Sequence, residues 1–279
     1  NTDLPRQETQ HNKVILNTSI NLGNNDWVEA DLGYQQNWRQ ERSLPHAHGR
    51  GPEPEGTKAL GLRLHTWSGN VKYHTQHFTG LNAIYGVQAQ WQRNERSGFE
   101  FLLPDFTSAS LGAYSYYEWS LRPDFTLSGG LRFDYGRRQI DEYEEAVWQD
   151  TETIIGYRKR TFNIDRDFQN LSGALGLSWY PSEKFNAKLN LGSSFRIPTA
   201  PELSANGVHH GTFRHEMGDS LLVTERGYQL DLGFSWKSED WLLSLSPFFN
   251  YFNDFIYLSP TTQFSNLPEG GQLFRYRQN

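Results

Sequence analysis

Histidine beside carboxylate is the chemistry most visible in this sequence. Five of its nine histidines fall in two polar stretches: His46 and His48 between Glu41 and Thr57, and His209, His210 and His215 between Ile197 and Glu225, near Glu216 and Asp219. Imidazole and carboxylate without thiolate suit zinc, copper, nickel or iron at neutral pH, and the sequence has no cysteine. His46, His48, His209, His210, His215, Glu216 and Asp219 therefore form the candidate metal-capture set. The competing reading is solvated loop, and one spacing limits the set: His209 and His210 are adjacent, so in extended chain they point to opposite faces and cannot both hold one ion. The acidic run Asp141-Glu142-Tyr143-Glu144-Glu145 reads either as a cation attractor or as solvated loop, and its carboxylates are too close in sequence to define a catalytic pair. No Gly-x-Ser-x-Gly elbow, phosphate loop or dinucleotide fingerprint is present, so nothing supports an enzyme.

The elements that must hold these stretches are strands. Period two dominates, and no long segment has helical spacing. Phe185, Ala187, Leu189 and Leu191 alternate with Asn186, Lys188, Asn190 and Gly192; Tyr228, Leu230, Leu232, Phe234 and Trp236 alternate with Gln229, Asp231, Gly233, Ser235 and Lys237. Similar alternation covers residues 14–22, 28–38, 81–91, 111–121, 125–135, 171–179 and 241–251, and a face that starts at Leu60 weakens toward Tyr73. About ten strands result, with an unfinished one at Phe274 to Arg277. Tight turns at 23–26, 122–124, 181–184 and 237–240 alternate with long polar connections at 41–57, 94–108, 139–165 and 197–225. Short turns on one side and long loops on the other are the mark of a transmembrane β-barrel with extracellular long loops. Trp27, Phe125, Trp179, Tyr180, Phe185, Trp236 and Trp241 flank the short turns, where an interfacial aromatic girdle would lie.

Composition agrees with a barrel and excludes other classes. Hydrophobic residues make up 36% and mean hydropathy is −0.72, yet aromatics reach 15%, unlike the aromatic-poor composition of disordered chains. No run approaches the roughly 18 apolar residues of a membrane-spanning helix. Lipid then leaves only a closed barrel, whose half-polar strands escape hydropathy scales. A net charge of −6 and a pI near 5.9 give no nucleic-acid footprint. The first residues, Asn1-Thr2-Asp3-Leu4-Pro5, lack a signal peptide, and the chain stops inside a strand pattern at Asn279. The expectation is one piece of a larger barrel domain spanning residues 1–279.

The most specific motif is Phe195-Arg196-Ile197-Pro198-Thr199-Ala200-Pro201-Glu202-Leu203, followed by Gly207, Glu216-Met217-Gly218-Asp219, Leu222 and Glu225. It resembles the Phe-Arg-x-Pro…Glu-Leu stretch of TonB-dependent outer-membrane receptors. Leu103-Pro104-Asp105-Phe106 with Gly112-Ala113-Tyr114, and Gly130-Leu131-Arg132-Phe133-Asp134, are similar to two further pieces of that family. The resemblance implies an all-β fold: an antiparallel transmembrane β-barrel, here partial, with about 10–11 strands of a barrel of about 22, lacking the plug domain and closing strands. It implies residence in the outer membrane of a Gram-negative bacterium, contact with outer-membrane lipid, coupling to the TonB energising complex through the plug, and active uptake of a small scarce ligand. That ligand would be a metal ion or a metal chelate such as a siderophore or haem. Zinc or an iron chelate is the possible cargo, since the likeness leans toward receptors of the zinc-uptake type. Phe195, Arg196, Pro198, Glu202, Leu203, Gly207 and Glu225 are the family-motif residues. Pro198 and Pro201 stop the strand, and Arg196 at the outer rim is expected to make a structural ion pair with Glu202 or Glu225. The alternatives are a soluble lectin-like β-sandwich, a TonB-dependent glycan importer and, more remotely, a hydrolase on a barrel scaffold.

Overall fold

The computed structural model describes residues 3–47, 50–209 and 212–279. In chain order, six long strands come first: β1 (Arg6–Gly23), β2 (Asp26–Arg42), β3 (Lys58–Phe78), β4 (Leu81–Ser97), β5 (Phe106–Arg122) and β6 (Phe125–Ile140). A separate hairpin, β7 (Tyr143–Trp148) and β8 (Ile154–Thr161), precedes β9 (Ile164–Ser182) and β10 (Phe185–Arg196). Then follow helix α1 (Ala200–Ser204), β11 (Asn206–His209), β12 (Arg214–Met217), β13 (Glu225–Lys237), β14 (Leu242–Leu245), β15 (Phe248–Asn253), β16 (Leu258–Phe264) and β17 (Phe274–Gln278). Eleven strands form one sheet in the order β1-β2-β3-β4-β5-β6-β9-β10-β13-β14, with β15 also paired to β13. Every pairing in it is antiparallel.

Register carries the apolar pattern across the sheet without a break. Leu16 faces Leu32, Leu32 faces Gly69, and Gly69 faces Ala89, which faces Leu111. Leu127, Leu177, Leu189 and Leu232 continue the same face. Its side chains stand exposed, among them Leu131, Leu171 and Leu175, as a surface that meets lipid must. The opposite face carries Asn17, Asp31, Asn70, Arg132 and Asp134, linked by bonds such as Asn17 Nδ2 to Asp31 (2.6 Å), Tyr114 Oη to Asn70 (3.0 Å) and Arg132 Nε to Asp134 (2.7 Å). A one-residue slip anywhere would exchange these faces, so the alternation itself enforces register. From Phe125 to Tyr135 the outward residues of β6 span roughly 33 Å of strand at about 3.3 Å per residue. Tilted by about 45°, that covers an apolar band of about 25 Å.

Four points differ from the sequence-based expectation. A fifth tight turn, at Thr79-Gly80, lets β3 run on to Phe78; the polar His74 to His77 run hides it, and Gly80 supplies the left-handed φ of +88°. The strand expected over 241–251 is two strands, because Pro247 cannot donate to the ladder and instead accepts from Leu232 N–H through its carbonyl. Phe274 to Arg277 is no wall strand: β17 joins β16, β12 and β11 in a four-stranded sheet over the long-loop end. Finally, Trp27 and Tyr180 lie on the polar face. Trp27 stacks on His74 at 4.3 Å, and the Lys188 ammonium sits 5.8 Å from the Tyr180 ring. The outward girdle is instead Phe78 against Trp119, Trp179 against Phe185, and Trp236.

Buried apolar packing sits at the mouth, at the end carrying the long connections. Ile140, Phe168, Ala200, Leu203, Leu222 and Ile256 form one cluster, with Phe106, Ile164 and Ile197 around it. Among the described residues no helix is long and apolar enough to cross a membrane.

Candidate functional site

The mouth is organised by two polar knots. The first is built on Arg196, the last residue of β10. Its guanidinium donates to both carboxylate oxygens of Glu202 (2.7 and 2.8 Å), to Glu225 (3.2 Å) and to the carbonyl of Ile256 (3.3 Å). Glu225 in turn accepts the Ile256 N–H at 2.9 Å. Glu202 completes a capping box with Thr199 at the start of α1, so one carboxylate both caps the helix and holds the arginine. The expected structural pairing is thus made with both glutamates at once. Pro198 is fully buried and its carbonyl accepts from Arg138 (3.3 Å); Leu203 lies in the apolar cluster. Gly207 is a glycine because a Cβ there would lie 2.1 Å from the Phe101 carbonyl. Phe195 is the one motif residue on the outward face, opposite Arg226.

The second knot surrounds His215, which has no solvent exposure. Its Nε2 lies 2.9 Å from Asn206 Oδ1 and its Nδ1 3.0 Å from Ser265 Oγ. The Asn206 amide is oriented by donating its NH2 to the Arg160 carbonyl at 2.8 Å. That makes Asn206 Oδ1 the acceptor, so Nε2 carries the proton and Nδ1 accepts from the serine. Burial, then the positive charges of Arg160 and Arg275, push the imidazole pKa down to about 4. Arg160, itself buried, bridges Glu145 (2.7 Å) and Glu269 (2.9 Å) and donates to the Asn206 carbonyl. His215 thus has both ring nitrogens hydrogen-bonded and its side chain fully buried, an arrangement that offers neither nitrogen to a metal ion.

The remaining candidates divide. Glu216 accepts from Arg214 (2.7 Å) and pairs with His209 Nδ1 (3.1 Å), and Asp219 pairs with Arg277 (3.0 Å) and accepts the Leu221 N–H. His48 and His210 lie outside the described residues. His46 pairs with Glu100 at 3.1 Å. Among the described residues no three histidine or carboxylate side chains are grouped to hold a metal ion. What the fold does bring together is His46 and His209, from loops far apart in sequence. Both line a cavity of about 570 Å³ that also presents Arg6, Arg39 and Arg42, the carboxylates Glu41 and Glu100, and the apolar Leu60 and Phe213. The arginines were invisible to motif reading because they stand in regular strand alternation near strand ends. Their only signal was position beside the His46 loop.

Comparison with known proteins decides the family. The profile of the TonB dependent receptor-like β-barrel matches residues 1–278. The chain belongs to this family. Solved structures of the same fold include the Serratia marcescens hemophore receptor HasR in complex with its hemophore HasA and heme (14% identity, TM-score 0.64, 99% of this chain and 47% of that one). The FrpB iron transporter from Neisseria meningitidis matches at 17% identity and TM-score 0.64, over 98% of this chain and 39% of that one. The copper transporter OprC matches at 16% identity and TM-score 0.68, over 98% and 41%. The chain spans less than half the length of these structures. As a TonB-dependent receptor barrel it is a wall of the Gram-negative outer membrane, in a family of transporters and not of enzymes.

Proposed function

We propose that the receptor containing this wall takes up a scarce metal chelate, of the siderophore or haem kind, captured at the extracellular mouth and admitted when TonB displaces a plug from the lumen. The observation that supports this reading is the cavity shared by His46 and His209. It presents the guanidinium groups of Arg6, Arg39 and Arg42, paired to Glu8 and Glu41, together with imidazoles and carboxylates and with Leu60 and Phe213 as apolar contacts, the mixture of polar and apolar groups expected of a small-molecule site. A chelate brings its own donor set, so the absence of a metal-holding trio among the described residues does not stand against it. Titration calorimetry of the intact receptor against ferric siderophores, haem and zinc chloride tests this. Arg39→Ala with His209→Ala is expected to weaken chelate binding roughly tenfold, the loss of about 1.4 kcal/mol. Unchanged affinity for every chelate would remove the site.

A second reading, direct zinc uptake, rests on the same two histidines together with His48. Tight zinc binding that is lost in His46→Ala with His48→Ala, without chelate binding, would replace the first reading.

A further inference from the structure

The long connections at the mouth meet on one side chain. Arg160, near the end of β8, has a side chain only 1% exposed, and it reaches four segments far apart in sequence. Within its own hairpin, Nη1 pairs with Glu145 of β7 at 2.7 Å, and the same nitrogen pairs at 2.9 Å with Glu269, which follows β16. Nε and Nη2 both donate to the carbonyl of Asn206, the first residue of β11, at 3.0 and 2.8 Å. The guanidinium carbon lies 5.1 Å from the centre of the buried Phe101 ring, in the connection between β4 and β5. Asn206 in turn donates its side-chain amide to the Arg160 carbonyl at 2.8 Å, and the Thr161 hydroxyl donates to the Ser204 carbonyl at 3.2 Å. The end of β8 and the start of β11 are thus tied through both residues.

Stability alone does not account for this arrangement. Withdrawing a guanidinium and two carboxylates from water offsets much of their attraction, and apolar side chains of similar volume hold segments together as well or better. What the guanidinium adds is geometry, because its planar fork fixes the direction of each partner where an ammonium or an apolar contact does not. The groups so fixed lead into the cavity at the mouth. Asn206 is followed by Gly207, which rests against the Phe101 carbonyl without room for a Cβ, and then by Val208 and His209, which line the cavity. Phe101 stands between Glu100 and Leu102, which line it from the other connection. Tyr143 of the hairpin stacks on Phe101 at 4.3 Å, and Arg96 lies 4.4 Å from the Tyr143 ring while donating to the Glu100 carbonyl at 3.1 Å. Arg160 itself does not line the cavity.

We propose that Arg160 is a positioning residue for ligand capture: it sets Val208 and His209 against Glu100 and Leu102 without touching the ligand. Its role rests on this cavity being the capture site proposed for the receptor. Held by the fork, the two walls are ordered before a chelate arrives, so binding does not have to order them.

The test uses the intact receptor in two measurements. Calorimetry gives its affinity for ferric siderophores and haem, and pulsed double electron resonance gives the distance between spin labels on Ile155→Cys and Leu221→Cys, both exposed and outside the cavity. Arg160→Lys keeps a charge between Glu145 and Glu269 but loses the fork on Asn206. It is expected to retain the heat-modifiable mobility of a folded barrel and to broaden the distance distribution. Binding of whichever chelate the receptor takes should weaken roughly tenfold, the effect of ordering two side chains anew. Arg160→Met is expected to lose at least as much affinity. Lys159→Gln, the exposed neighbour that pairs with Glu142 and Glu144, is expected to change neither measurement. Should Arg160→Met not fold, Arg160→Lys decides. Wild-type affinity in Arg160→Lys, an undisturbed distance distribution, or an equal loss in Lys159→Gln overturns the role of Arg160. Arg39→Ala with His209→Ala separates the two ideas. Affinity lost there but kept in Arg160→Lys leaves the cavity standing and removes Arg160; affinity kept there removes the cavity as the capture site, and the positioning role with it.

Discussion

Strand β6 passes through both regions of this molecule. Leu131 and Phe133 stand 62% and 48% exposed on the outward face, while Ile140, at the end of the same strand, is 1% exposed under α1. In the wall an apolar residue is placed by strand parity, and lipid completes its surroundings. At the mouth the same residue type must be buried by protein, and the segments that bury it come from residues 200–256, far along the chain. The wall thus depends on pattern and the mouth on particular long-range partners, so the two should fail differently when perturbed.

The largest effect is expected in the wall. Leu175→Arg puts a guanidinium on the lipid face near the centre of the band and should destabilise the receptor by up to about 4 kcal/mol in lipid, read by denaturant unfolding in vesicles. Ser172→Arg, on the polar face of the same strand, should cost far less; equal costs would mean that the two faces have been exchanged.

Next comes the mouth. His215 has a folded-state pKa near 4 against an ordinary value of 6.5, so the unfolded mouth binds the proton more readily between those values. The stabilisation is complete above pH 6.5 and falls as pH drops toward 4, by at most about 3.5 kcal/mol at about 1.4 kcal/mol per pK unit. Hydrogen exchange of β11, β12 and β17 should accelerate over that window while wall strands such as β5 stay protected, and His215→Gln should flatten the response.

Arg196→Met leaves Glu202 and Glu225 without their shared cation. Roughly 2 kcal/mol of local stability should be lost, seen as faster exchange in α1 and at Ile256 with the wall unchanged. Smallest is the change that separates the two sets of aromatics. Lipid spin labels should quench Trp179 and not Trp27, measured in variants keeping one tryptophan of the pair; quenching of both would return Trp27 to the girdle.

Much of the wall was legible in the sequence. Alternation from Phe185 to Leu191 and from Tyr228 to Trp236 named the faces of β10 and β13, and proline and turn residues marked four of the five tight turns. The fifth escaped because His74 to His77 carry no apolar alternation, while the ladder to β4 continues through them. Trp27 and Tyr180 were assigned by closeness to a turn, yet parity puts them on the polar face, where His74 and Lys188 hold them. At the mouth, the likeness of residues 195–225 to family motifs pointed to Arg196, Glu202 and Glu225, but not to Ile256 or to the partners of His215.

Sequence alone determined the class, the faces of most wall strands and the sorting of all but one of the connections between them, because a strand's two faces are set by neighbours two residues apart and the membrane favours only one arrangement of them. The tertiary structure decided which histidine is accessible. His46 and His209 meet at a cavity and His215 disappears into a knot with Asn206 and Ser265, since burial and hydrogen-bond partnership depend on segments that no local spacing connects.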